Sequence, residues 1–156
     1  MGREAFLKEV SKYRRVLLDT SIPIYFLQKV APYSALVEPL FRLIEEQAIE
    51  ARLSVITEAE LLVGPVRKND GESLNMVRAF LNDFPGIDVV PVSRPVTQEA
   101  AKLRAGSGLP LPDALIIATA KVSGCEAIVG NDLTWAKIEV LPVILLDDYC
   151  NDRENP

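Results

Sequence analysis

Four carboxylates occupy the positions in this sequence that could support chemistry. Asp19 ends a short apolar run of the sequence. Glu60 and Asp113 each lie close to another apolar run, and Asp132 closely follows a further one. The chain contains no histidine, which excludes histidine general bases, Ser-His-Asp triads and histidine-rich zinc sites. Any catalysis must therefore depend on carboxylates.

Carboxylates gathered at one place repel each other and raise one another's pKa unless a cation neutralises them. Ligand sets made only of oxygen suit Mg²⁺ or Mn²⁺, which usually keep several waters and bridge to substrate phosphates. Such an ion generates hydroxide and stabilises the displacement at a phosphodiester. If the four acids meet, we expect metal-assisted phosphodiester hydrolysis.

Each acid also fits a structural role that needs no metal. The four alternatives are a capping box at Thr57 and Glu60, a helix-dipole contact at Asp113, a turn at Asn131–Asp132, and an Asx turn or cap at Asp19–Ser21. Only their joint placement favours a functional site.

The elements that must position these acids alternate between strands and helices. Short apolar runs predict strands at 15–19, 50–54, 87–91, 127–130 and 143–146. Apolar spacing and capping residues predict helices at 21–27, 34–50, 57–64, 72–83, 93–106 and 113–122. We expect Thr20 or Ser21 to cap the first of these helices, and Pro39 to lie near the start of the second.

This alternation predicts an α/β fold, a three-layer α/β/α sandwich with a central parallel sheet of about four to five strands. In such sheets, ligands bind beyond the carboxyl ends of the strands. The four acids should therefore reach one edge of the sheet.

Composition indicates one domain over residues 1–150, followed by a polar tail at 151–156. Of 156 residues, 49% are hydrophobic and 25% are charged, which is typical of a chain that buries a core. There is no apolar stretch of about 18 residues and the N-terminus is charged, so we expect a cytoplasmic protein with no membrane partner. The net charge of −5 means that a nucleic acid would need a local basic rim or a metal.

The sequence around the four acids resembles, in order, the motifs of the PIN-domain family, in particular its VapC-like ribonuclease toxin branch. The matching segments are VLLDTS at 16–21, SVITEAELLVG at 54–64, LPDALIIATA at 111–120 and IVGND at 128–132. Three positions depart from the family pattern: Ser21 stands where Asn is common, Gly130 where Thr is common, and Thr134 where a further acid is common.

The resemblance implies an Mg²⁺- or Mn²⁺-dependent endoribonuclease that is the toxin of a type II toxin–antitoxin pair. The catalytic and metal-binding residues would be Asp19, Glu60, Asp113 and Asp132, supported by Thr20, Ser21, Thr57 and Asn131. The expected partners are an RNA substrate, an antitoxin protein and a second copy of the chain. We expect the antitoxin to place a basic side chain among the acids and to pack apolar residues near Tyr33–Phe41.

Other functions stay open at this point. A haloacid-dehalogenase-type phosphatase requires Asp-x-Asp after its first strand, where this chain has Asp19-Thr20-Ser21. A receiver domain requires paired acids near the N-terminus and a later lysine, and neither pattern is present. A PIN scaffold that acts only by binding protein is not distinguished from the enzyme by sequence.

Overall fold

Five parallel strands run through the centre of the computed structural model, which describes residues 2–150. In chain order they are β1 (Arg15–Leu18), β2 (Glu50–Ser54), β3 (Ile87–Val90), β4 (Ala127–Gly130) and β5 (Val143–Leu145). Their order across the sheet is β3-β2-β1-β4-β5, and every neighbouring pair is parallel. The predicted α/β fold with a central parallel sheet is confirmed; the predicted tail at 151–156 lies outside the described residues.

Helices flank this sheet. They are α1 (Gly2–Val10), α2 (Ser21–Leu27), α3 (Ser34–Glu45), α4 (Val55–Arg67), α5 (Gly71–Asp83), α6 (Arg94–Ser107), α7 (Leu111–Val122) and α8 (Asp147–Cys150), with a 3₁₀ helix at Leu133–Lys137. The sequence did not predict α1, α8 or the 3₁₀ helix, because each is too short or too charged to show a clear apolar period. None of the helices within residues 2–150 is both long and apolar enough to cross a membrane.

Several predicted helix ends are wrong. α4 begins at Val55 because the Ser54 hydroxyl caps it, accepting a hydrogen bond from the backbone N–H of Ile56 at 3.1 Å. Thr57 is therefore inside the helix, and the capping box with Glu60 does not form.

Two other predictions about helices also fail. α3 ends at Glu45, where residue 50 was expected, and Pro39 lies in its second turn. Thr20 occupies the cap position of α2, but its side chain makes no capping hydrogen bond. Its hydroxyl contacts Thr57 and Glu60 instead.

Strand β1 lies at the centre of the sheet and is buried on both faces. Its side chains alternate, as in any strand: Val16 and Leu18 pack into one apolar cluster and Leu17 into another. Leu18 is opposite Val129 of β4, and this register brings the residue after β1 next to the end of β4. The carboxyl edge at β1 and β4 is where the first and last predicted acids meet.

Candidate active site at the carboxyl edge of the sheet

Asp19 is the first residue beyond β1 and lies at the centre of the carboxyl edge. Its backbone N–H donates to the Val129 carbonyl at 2.9 Å, and its Oδ1 accepts from the Thr20 N–H at 2.7 Å. Burial raises the pKa of Asp19 to about 6 against the opposing effect of the Thr20 hydrogen bond. The negative charges of the other three predicted acids contribute to this raised value: Glu60, Asp113 and Asp132.

Glu60 is connected to Asp19 through Thr20. The Thr20 hydroxyl donates to Glu60 Oε1 at 3.3 Å and lies 3.0 Å from the hydroxyl of Thr57, which is fully buried. A hydroxyl has one proton, so when Thr20 donates to Glu60, Thr57 donates to Thr20. Partial burial raises the pKa of Glu60, the Thr20 bond lowers it, and the charge of Asp113 raises it.

Asp113 lies in the first turn of α7, and Asp132 lies just before the 3₁₀ helix. Burial raises the pKa of Asp113, the hydrogen bond from Trp135 lowers it, and the charge of Asp132 raises it. Asp132 Oδ1 accepts from both the N–H of Thr134, at 2.9 Å, and its hydroxyl, at 2.6 Å. Asp132 thus caps the 3₁₀ helix, where the structural alternative from sequence was a turn at Asn131–Asp132. Its charge also acts on Asp19 and Asp113.

Two of the predicted supporting residues behave differently from Thr20 and Thr57. Ser21 lines a groove at this edge together with Asp19 and Asp132, and its buried hydroxyl has no hydrogen-bond partner within residues 2–150. The Asn131 amide donates to the Tyr25 hydroxyl at 3.3 Å and to Asp147 Oδ1 at 3.4 Å, and its oxygen accepts from the Asp147 N–H at 2.9 Å. Asn131 therefore holds the start of α8 against the site and makes no hydrogen bond to any of the four acids.

Sequence reasoning missed Asp147 as a fifth acid of this edge. It lines the same groove as Asp19 and Asp132, and its carboxylate accepts from the Tyr33 hydroxyl at 2.7 Å. The signal was present, because Asp147 follows β5 just as Asp19 and Asp132 follow β1 and β4. Tyr25, which stacks on Tyr33 at 4.3 Å, also lines this groove.

The four predicted acids share one edge of the sheet. None of them takes part in a salt bridge with a lysine or arginine of residues 2–150. Their oxygen ligands and mutual repulsion fit a hard divalent ion. In the same part of the chain, however, no three His, Cys, Asp or Glu side chains converge closely enough to hold one ion. An ion bound through one or two of these carboxylates and otherwise by water does not require three of them to converge.

A groove leads away from Glu60 between α2, α4 and α5. Its apolar lining includes Ile24, Leu27, Leu61, Met76 and Val77. The predicted docking surface near Tyr33–Phe41 is wrong, because the apolar residues of that part of α3 face the core: Leu36, Val37, Leu40 and Phe41. Exposed apolar side chains are found instead on α4, at Val63 and Val66, and on α5, at Met76.

The family model of the PIN domain matches residues 16–141. This match covers most of the chain and includes all four acids of the carboxyl edge. The chain belongs to the PIN domain family. Among curated proteins, none matches the sequence significantly.

Solved structures share this fold over nearly their whole length. The VapBC2 structure from Rickettsia felis is similar with a TM-score of 0.68 and 21% identity, covering 84% of this chain and 98% of that one. FitAcB from Neisseria gonorrhoeae has a TM-score of 0.65 and 26% identity, with 84% and 97% covered. A toxin–antitoxin complex from Klebsiella pneumoniae has a TM-score of 0.64 and 23% identity, with the same coverage as FitAcB.

Proposed function

We propose that this chain is an Mg²⁺- or Mn²⁺-dependent endoribonuclease and the toxin of a type II toxin–antitoxin pair. The observation that carries the enzymatic part is the set of four carboxylates at the carboxyl edge, which interact electrostatically and form no salt bridge with a lysine or arginine of the described residues. Membership of the PIN domain family supports a nuclease with such a site.

Asp19, Glu60, Asp113 and Asp132 are the residues that would hold the ion. A bound Mg²⁺ or Mn²⁺ lowers the pKa of water and offsets the charge of the substrate phosphate. Asp19 is oriented by the Thr20 N–H and Glu60 by the Thr20 hydroxyl, so one residue positions two acids from different elements. The buried Thr57 keeps that hydroxyl in place.

The toxin role is supported by the proteins that share the fold. The Klebsiella structure is described as a toxin–antitoxin complex, and the Rickettsia VapBC2 structure is bound to a fragment of promoter DNA. For this chain we infer an antitoxin partner and a homodimer. The antitoxin would occupy the groove between α2, α4 and α5, which begins at Glu60 and therefore joins apolar surface to the acidic edge.

Cleavage of a circular RNA tests the enzymatic proposal. A circle has no ends, so its conversion to a linear product requires an endonuclease. We expect linearisation with Mg²⁺ or Mn²⁺, none with a chelator, and loss of about a hundredfold or more in Asp19→Asn and Asp113→Asn. Glu58→Gln is the matched control, since Glu58 is on the same helix as Glu60 but makes no side-chain hydrogen bond within residues 2–150. A circle that stays intact with both metals would overturn the proposal.

One observation also fits the alternative of a PIN scaffold without catalytic activity. No three of the acidic side chains within residues 2–150 converge on one ion position, as expected also for a PIN scaffold that acts only by protein binding. That alternative predicts partner binding that is unchanged in Asp19→Asn and Asp113→Asn, without any RNA cleavage. The phosphatase alternative has no such support, because Thr20 and Ser21 follow Asp19 where a second acid is needed.

A further inference from the structure

Trp135 is the single tryptophan of the chain, and it lies beneath the acidic edge. Only 1% of its surface is exposed. The indole ring packs in the cluster that contains Leu17, Ile117 and Ile128, so β1, α7 and β4 all contribute to its surroundings. A ring so enclosed cannot stack on a nucleotide base or contact a partner.

The indole N–H points at one of the predicted metal ligands. Trp135 Nε1 donates to Asp113 Oδ2 at 3.5 Å. A buried N–H without a partner is costly, because it has lost its hydrogen bonds to water. The hydrogen bond to Asp113 satisfies the only polar atom of the indole ring, and it spans 22 residues of sequence.

The 3₁₀ helix gives this donor a fixed position. Asp132 accepts from Thr134 through its side chain, and its carbonyl accepts from the Trp135 backbone N–H at 3.0 Å. The backbone of Trp135 is thereby anchored to one acid of the edge, while its side chain reaches another. Residues 132–135 form a short bridge between Asp132 and Asp113.

We propose that Trp135 is a positioning residue of the acidic site, whose indole N–H fixes the orientation of the Asp113 carboxylate and leaves its other oxygen available to a divalent ion. Phenylalanine would fill most of the same volume but has no donor. The effect on metal binding rests on the proposed function, whereas the contact between Trp135 and Asp113 does not. Outer hydrogen bonds of this kind hold metal ligands in their productive orientation.

The first test uses the single indole signal. In a ¹⁵N–¹H spectrum of the full chain, Trp135 gives the one indole N–H resonance. We expect Asp113→Ala to shift this resonance upfield and to accelerate its exchange with solvent, while the exposed-acid control Asp83→Ala leaves it unmoved. An unchanged resonance in a folded Asp113→Ala variant would overturn the proposal.

The second test measures Mn²⁺ affinity by calorimetry. Trp135→Phe should weaken binding about tenfold, the size of effect typical of lost outer-shell hydrogen bonds. Ile128→Val removes packing from the same cluster without removing a donor, and its affinity should stay within about twofold of wild type. Equal affinities in the two variants would contradict the proposal. If the wild-type chain binds no Mn²⁺, the proposed function fails, and the indole resonance still decides whether Trp135 holds Asp113.

Discussion

Gly130 and Asp19 are in close contact across the ends of β4 and β1. A β-carbon placed on Gly130 would lie 3.1 Å from the β-carbon of Asp19 and 3.4 Å from its Oδ2. Such a distance is tighter than ordinary van der Waals contact, so one of the two residues would have to move. The absence of a side chain at position 130 therefore makes room for the central acid of the site.

Gly130→Ala should impair the site more than the fold. The added methyl group displaces Asp19 by a few tenths of an ångström, and we expect cleavage to fall by about tenfold, since small misplacements of catalytic groups are expensive. Gly106→Ala is the control, because a β-carbon there meets nothing within 4 Å and a helical alanine is favourable. Full activity in Gly130→Ala would show that Asp19 tolerates the contact.

Metal binding should depend on the four acids in the absence of RNA. Asp19→Asn and Asp113→Asn each remove a charged oxygen ligand, and we expect either variant to abolish the Mg²⁺ or Mn²⁺ binding seen by isothermal titration calorimetry. Glu58→Gln should bind as wild type does. If both folded variants keep the wild-type affinity, the ion binds elsewhere on the chain.

The metal-free protein should lose stability as the pH rises through the titration of Asp19. The carboxyl has a folded-state pKa of about 6 and an ordinary value of 3.8. Because the folded pKa is the higher one, ionisation destabilises the folded state, beginning above pH 4 and complete above pH 6. The total effect is at most about 3 kcal/mol, at 1.36 kcal/mol for each pKa unit.

Thermal unfolding with a chelator present checks this dependence. Asp19→Asn should flatten the pH profile and raise the melting temperature at pH 7.5. Asp113→Asn should also raise it, since that substitution removes one charge from the same cluster. A clear fall in metal-free stability of Asp113→Asn would instead favour its role as a helix-dipole contact.

Thr57→Val should loosen the Thr20 hydroxyl that donates to Glu60 while leaving the core filled. The substitution keeps the shape of the buried side chain but removes the hydroxyl next to that of Thr20. We expect activity to fall several-fold and stability to change by about 1 kcal/mol. Thr119→Val is the matched control, because this buried threonine donates only within its own helix, to the Leu115 carbonyl.

The elements that carry the acids could be predicted because their signals are local. β2 and β4 have the predicted bounds, since each is a short run bordered by residues that end a strand. Asp19 and Asp132 follow from the same signals, because the carboxyl ends of parallel strands meet at one edge.

The contacts that organise the site depend on residues far apart in sequence. Thr20 meets Thr57 across 37 positions and Trp135 meets Asp113 across 22. The local sequence predicted Thr57 as a helix cap. In the structure Ser54 is the cap, and the Thr57 hydroxyl contacts Thr20 instead. No periodicity in the sequence marks a hydrogen bond of this kind, so the supporting contacts of the site needed the structure.

The groove between α2, α4 and α5 combines an apolar lining with an acidic end. Met76, which is 46% exposed, lies along this groove, and Glu60 lies at its acidic end. An antitoxin segment with apolar residues and one arginine would match both parts. Its affinity should then combine a salt-sensitive contribution from the arginine with a salt-insensitive contribution from the apolar contact.

Purification from the native host, with mass spectrometry of bound proteins, supplies the partner for this measurement. Met76→Lys should weaken its binding by about tenfold or more, because a charge replaces an apolar contact in the groove. Val122→Lys is the control, since Val122 is 40% exposed at the end of α7 and does not line this groove. The salt-sensitive contribution should survive in Met76→Lys and shrink in Glu60→Gln, which removes the charge at the acidic end of the groove. Recovery of only a free dimer, with no toxicity on expression, would refute the toxin role while leaving the nuclease proposal intact.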